Sequence, residues 1–173
     1  MEATAVRATR PLPVLAALRP RQWTKNLLLF AGILFAAKLG DATRWGEAAA
    51  AFGAYCAASS AAYLLNDVRD APHDRLHPVK RLRPVASGAL ASRTALGLAA
   101  ALALVSLAVG AALGPWSLLF VAGFLAMQCA YSLGLKHVVL IDVMAIASLF
   151  VVRAAAGAEA VDVRISPWLL VCT

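Results

Sequence analysis

Long apolar runs alternate along this chain with short charged segments. Runs at 26–39, 46–65, 94–113, 115–135 and 138–157 each predict a helix, and a sixth begins near residue 165. Most approach the roughly 20 residues that a helix needs to cross the hydrocarbon core of a bilayer. They are rich in Ala and Leu and lack period-2 alternation, which disfavours a closed barrel of strands. The pattern implies an all-α membrane protein, a polytopic bundle of transmembrane helices. The first run is short, and the amphipathic stretch at 14–18 is expected to lie along the membrane surface ahead of it. Residues 1–25 then form a cytoplasmic or interfacial segment, and residues 26–173 a transmembrane domain.

Composition agrees. Of 173 residues, 62% are hydrophobic and 14% charged, whereas a soluble domain carries about a quarter charged residues. A net charge of +7 would otherwise suggest a nucleic-acid partner, and the apolar runs exclude one. The basic residues instead sort by side. Of the 16 Lys and Arg residues, only Lys38, Arg44, Arg153 and Arg164 fall off the cytoplasmic side if the N-terminus is cytoplasmic. The positive-inside rule thus predicts a multi-pass plasma-membrane protein with a cytoplasmic loop over 66–93. A basic segment before the first run has the look of a signal peptide, but the further apolar runs favour a retained protein. Cys56, Cys129 and Cys172 lie in apolar runs without metal-site spacing and read as small packing residues. No internal repeat is evident, and the Ala-rich stretches at 48–51 and 99–101 read as close helix packing.

Candidate chemistry is concentrated after the second run, in Asn66-Asp67-x-x-Asp70-x-x-x-Asp74. At about 100° per residue these four fall near 0°, 100°, 40° and 80°, so a helix would turn them toward one face. Three carboxylates on one face repel each other and call for a cation. Hard oxygen donors with room for phosphate oxygens suit Mg²⁺ better than zinc. Arg75, His77, Lys80, Arg81 and Arg83 follow at once and supply cations for a diphosphate. The plainer alternative is a solvated charged loop gripping anionic headgroups. Pro72 secures the shared face only for Asn66, Asp67 and Asp70, and Asp74 is expected to reach the site from a new helical turn beginning at Pro72. His73, His77 and His137 read as loop hydrogen-bonding residues. Asp142 and Arg153 fall inside the fifth run, where each needs a partner or a polar cavity; both stay outside the catalytic set.

These residues resemble the UbiA family of intramembrane prenyltransferases, whose first aspartate-rich motif Asn66, Asp67, Asp70 and Asp74 match position by position. Further matches are Arg19-Pro20-Arg21-Gln22-Trp23-Thr24-Lys25-Asn26, His77-Pro78-x-Lys80-Arg81-x-Arg83-Pro84, Tyr131-Ser132-Leu133-Gly134-Leu135-Lys136-His137 and Ile165-Ser166-Pro167-Trp168. The combination is similar to a branch of the family that transfers phosphoribose to lipid. The resemblance implies a bundle of about nine helices of roughly 20 residues each. This chain would supply the first five and part of the sixth. The family's second polar motif is absent, so the chain alone is expected to be inactive.

The resemblance further implies 5-phosphoribosyl 1-diphosphate as donor, a polyprenyl (decaprenyl) phosphate as acceptor and a product used for cell-wall arabinan. Mg²⁺ is the implied cofactor, with Asp67 and Asp70 first among the ligands and Asn66 and Asp74 next. Lys80 and Arg83 are candidates for the donor's phosphates, and Lys25 and Lys136 for either phosphate. Tyr131 completes the substrate-binding set. Lys25 beside Trp23 also fits an interfacial anchor, and Tyr131 a belt aromatic. A phosphate monoester with a second pKa around 6 is already largely ionised, so no dedicated general base is needed. The rival readings are a prenyl-diphosphate enzyme of the same family acting on an aromatic acceptor, and a non-catalytic membrane scaffold or transporter piece. Small-residue faces also allow a homo-oligomer.

Overall fold

Left-handed backbone at Arg19 (φ 53°) ends a short helix, α1 (Pro13–Leu18), and starts a 3₁₀ helix over Pro20–Phe30 that passes into α2 (Ala31–Phe35). The computed structural model describes residues 12–35, 40–135 and 138–162. Four longer helices follow: α3 (Ala42–Asp74), α4 (Ser92–Leu113), α5 (Pro115–Leu133) and α6 (Val139–Ala160), with a 3₁₀ turn at Lys80–Leu82. The described residues contain no strand. All four long helices are extended and apolar enough to cross a membrane.

The first element departs from the expected span at 26–39. It starts at Pro20, whose fixed φ suits a first helical position, and it winds as a 3₁₀ helix. There, residues three apart eclipse one another, so Trp23, Asn26 and Leu29 form one ridge. Trp23 Nε1 donates to Ser60 Oγ of α3 at 3.0 Å, Asn26 and Leu29 are wholly buried, and Gly32 abuts the backbone of Ala158 in α6. Residues 36–39 and the expected sixth run near 165 lie outside the described residues.

α3 also outruns its expected bounds of 46–65. Asp41 caps it by accepting from the amides of Thr43 and Arg44 at 3.0 and 3.3 Å. Its far end continues through Pro72 to Asp74, which corrects the expectation of a new turn beginning at that proline. Pro72 has no amide to donate to the carbonyl of Val68, yet the helix runs past it to Asp74. At 1.5 Å per residue α3 is ~50 Å long, against about 30 Å of hydrocarbon. The helix is thus about 20 Å longer than the layer, and most of its charged residues gather at the 66–74 end. α4 begins two residues earlier than expected, α5 ends at Leu133 and α6 runs on to Ala160.

α3 is the central post. Leu29, Tyr55, Phe124 and Leu149 join it to the 3₁₀ helix, α5 and α6, while Ala61, Leu64 and Ala71 pack on Val85, Leu90, Ala95 and Ala99. Small residues let such helices approach closely. Among the described glycines the tightest approach is at Gly157 of α6, where an added Cβ would run into the carbonyl oxygen of Leu29. Gly157→Ala is therefore expected to cost about 3 kcal/mol, the upper end of overpacking, read as a lower unfolding temperature in detergent. Gly46→Ala, where a Cβ meets nothing within 4 Å, is the control.

Candidate active site

The polar end of α3 meets the 3₁₀ helix, the loop after Asp74, α5 and α6 around a cavity of about 540 Å³. Tyr63, Asn66 and Asp70 face it from α3, Lys80 and Arg83 from the loop, and Arg19 and Lys25 from the N-terminal side. α5 contributes Gln128, Tyr131 and Ser132; α6 contributes Arg153 among Ile146, Leu149 and Phe150. Five cationic side chains thus surround one carboxylate among the described lining residues. Such a cavity favours a polyanion.

The asparagine and three aspartates do not share one face. Asn66 and Asp70 line the cavity, with Asn66 Nδ2 donating to Asp70 Oδ2 at 3.1 Å. Asp67 and Asp74 turn toward the loop. Arg19 Nη2 donates to Asp67 Oδ1 at 2.5 Å, and Arg83 Nη1 donates to Asp67 Oδ1 at 3.4 Å and to Asp74 Oδ2 at 2.7 Å. Both carboxylates are buried, at 1% and 3% exposure. The helical angles order the residues this way: Asn66 and Asp70 lie 40° apart, and Asp74 and Asp67 follow at 80° and 100°. Of the face expected for Asn66, Asp67 and Asp70, the structure turns Asn66 and Asp70 to the cavity and Asp67 away from it, and Asp74 does not reach the cavity either.

Among the described residues no three His, Cys, Asp or Glu side chains form a ready metal cluster. The oxygen donors nevertheless fit Mg²⁺, which takes one or two carboxylates and fills its remaining positions from phosphates and water. Asn66 and Asp70 offer oxygens at the cavity, and Asp67 Oδ2 is buried without a hydrogen-bond partner among the described residues. An orphaned buried carboxylate oxygen is costly unless a cation or donor completes it.

The other expected residues are placed as follows. Lys25, Lys80, Arg83 and Tyr131 line the cavity; Lys136 and His137 lie outside the described residues. His77 Nδ1 accepts from the amides of Val79 and Lys80 at 3.2 Å, which fixes the turn carrying Lys80. Tyr131 Oη donates to Asp142 Oδ1 at 2.7 Å, giving Asp142 the partner it needed. Arg69 donates to the backbone oxygens of Ser132 and Leu133 and so closes the end of α5 beside Tyr131. Cys56 and Cys129 are free thiols.

Sequence reasoning gave no site role to Arg19, Tyr63 or Gln128, and it left Arg153, for which it expected a partner or a polar cavity, outside the catalytic set. A signal existed for two of them. Tyr63 precedes Asn66 by three positions on the same stripe, and Arg153 is a charge inside an apolar run. Arg19 stacks on Tyr63, its guanidinium carbon 4.8 Å from the ring centroid, a contact between elements that no spacing reveals.

A model described as the UbiA prenyltransferase family matches residues 26–173. The chain belongs to the UbiA prenyltransferase family. It is 41% identical over 161 residues to decaprenyl-phosphate phosphoribosyltransferase of Mycolicibacterium smegmatis, covering 91% of this chain and 51% of that protein. The protein of that name from Corynebacterium glutamicum is 39% identical over 163 residues, covering 91% and 48%. The chain thus spans about half the length of the curated relatives it matches. A UbiA homolog from Archaeoglobus fulgidus, solved bound to DMAPP and Mg²⁺, has the same fold, with a TM-score of 0.75 over 90% of this chain and 56% of that one at 22% identity. This UbiA chain is accordingly a multi-pass membrane protein.

Proposed function

We propose that the intact protein transfers 5-phosphoribose from 5-phosphoribosyl 1-diphosphate to a polyprenyl phosphate such as decaprenyl phosphate, in a Mg²⁺-dependent reaction on the cytoplasmic face of the plasma membrane. The observation that carries this reading is the cavity itself, in which five cations and a few oxygen donors enclose space for phosphorylated substrates. The likeness to two proteins named decaprenyl-phosphate phosphoribosyltransferase supports the choice of substrates.

Breaking the ribose C1–oxygen bond builds positive charge on the sugar and negative charge on the departing diphosphate. Fixed cations aimed at the leaving oxygens stabilise that separation and need no reorganisation as it develops. Lys80 and Arg83 take this role from the loop, and Arg153 from α6. Asn66 and Asp70 at the cavity, with the buried, unpartnered Oδ2 of Asp67 behind them, would hold Mg²⁺, which when bound neutralises charge on the leaving diphosphate. Lys25 and Lys136 hold the acceptor phosphate, and Tyr131, braced by Asp142, lines its approach. The acceptor is already largely ionised near neutral pH, with a second pKa around 6, so the side chains orient it rather than remove a proton. Transfer would serve arabinan synthesis in the cell wall.

The test uses membranes bearing the intact protein, ribose-labelled 5-phosphoribosyl 1-diphosphate and decaprenyl phosphate. Label is expected in the lipid phase, with transfer abolished by EDTA and restored by Mg²⁺. Label that stays aqueous while a prenyl diphosphate is coupled to an aromatic acid would reject the phosphoribosyl reading.

A further inference from the structure

Arg153 is 5% exposed inside a membrane-crossing helix. Among the described residues it has no ion pair: all six pairs present involve Arg19, Arg44 or Arg83. A buried charge usually finds an opposite charge or a polar cavity. Every described group that holds this one is neutral. Nε donates to Asn26 Oδ1 at 2.8 Å and Nη1 to the carbonyl of Leu149 at 2.9 Å. The rings of Phe124 and Phe150 lie against the guanidinium at 4.7 and 5.5 Å. The side chain otherwise lines the cavity.

Asn26 is wholly buried on the 3₁₀ ridge. Its amide nitrogen donates to Cys56 Sγ and Ser59 Oγ, both at 3.4 Å. With the nitrogen engaged by α3, only the oxygen is left to face Arg153. A carboxylate at this position would hold the guanidinium equally well and cancel its charge. An amide holds it and leaves the charge intact.

We propose that Asn26 is a positioning residue: it fixes the guanidinium of Arg153 at the cavity wall without neutralising it, reserving that charge for a diphosphate oxygen of the substrate. The inference rests on reading the cavity as a diphosphate site. It also explains why the first element is a 3₁₀ helix, since a period of three puts Asn26 in line with Trp23 and Leu29 between α3 and α6.

The test compares wild type with Asn26→Asp, nearly identical in volume, in the intact protein in nanodiscs. Readouts are the unfolding temperature, calorimetric binding of inorganic diphosphate with Mg²⁺, and the kinetics of transfer. Asn26→Asp is expected to unfold at or above the wild-type temperature, because its carboxylate pairs with Arg153. Its diphosphate Kd and donor KM are expected to rise about tenfold or more, the usual scale of a charge-assisted contact, with a smaller change in kcat and an unchanged acceptor KM. Undiminished diphosphate binding by Asn26→Asp, or a wild type that binds no diphosphate, overturns the proposal. Should Asn26→Asp lower the unfolding temperature, Cys56→Ala/Ser59→Ala decides. It frees the amide without touching Arg153; about threefold weaker diphosphate binding on a stable fold supports positioning, and wild-type binding overturns it. If diphosphate binding responds as expected but ribose phosphate is never transferred, the positioning role stands and the proposed substrate falls.

Discussion

In the intact protein, Asp70→Asn is expected to lower kcat/KM for the proposed phosphoribosyl transfer by about 10³-fold, roughly 4 kcal/mol at 1.36 kcal/mol per decade. Asp70 is the one described carboxylate on the cavity wall, and the substitution keeps its shape while removing the charge that a divalent cation needs. Asp74→Asn, in the same motif, is expected to cost less than tenfold in turnover. That side chain faces Arg83 and does not line the cavity, so its loss falls on stability. Raising Mg²⁺ should recover part of the Asp70→Asn defect and none of the Asp74→Asn defect. Equal losses in steady-state assays of the two variants would restore the single-face arrangement that the motif spacing suggests.

That contrast marks the limit of what spacing shows. The long helices are legible because apolar runs of bilayer length have few other solutions. Their ends are not. α3 continues through Pro72 even though the proline leaves the Val68 carbonyl without its helical donor, and the amide of Arg75 still closes on Ala71 O at 3.1 Å. The 3₁₀ helix over Pro20–Phe30 was hidden because its period of three becomes meaningful only once Ser59, Ser60 and Arg153 stand beside it. Lys25, Lys80, Arg83, Tyr131, Asn66 and Asp70, all marked in the sequence, meet at one cavity. Asp67 and Asp74 were marked for the same face, and the neighbouring Arg19 and Arg83 draw them to another. Which stripe of a helix faces a ligand depends on what packs against the next stripe, and a sequence read as a line does not contain that. Arg153 was visible as an anomaly; its use became clear only from the neutrality of its neighbours.

Arg83 ties the loop to α3 and also faces the cavity, so its removal is expected to show two separable defects. Arg83→Gln leaves Asp74, 3% exposed, without its only described cation and leaves Asp67 with Arg19 alone. Breaking one side of a buried pair typically costs about 3–5 kcal/mol, because the stranded carboxylate has lost its water as well as its partner. Thermal unfolding in detergent should show a fall of that size. Arg83→Gln/Asp74→Asn removes the stranded charge together with the cation and leaves two amides able to bond each other, so much of the stability should return. Turnover should not. The guanidinium that lines the cavity is still missing, and donor KM should remain raised about tenfold, on the scale of one charge-assisted phosphate contact. Full recovery of donor KM in the stable double variant would make Arg83 a strut between loop and helix, and the phosphate contacts on that side of the cavity would then fall to Lys80.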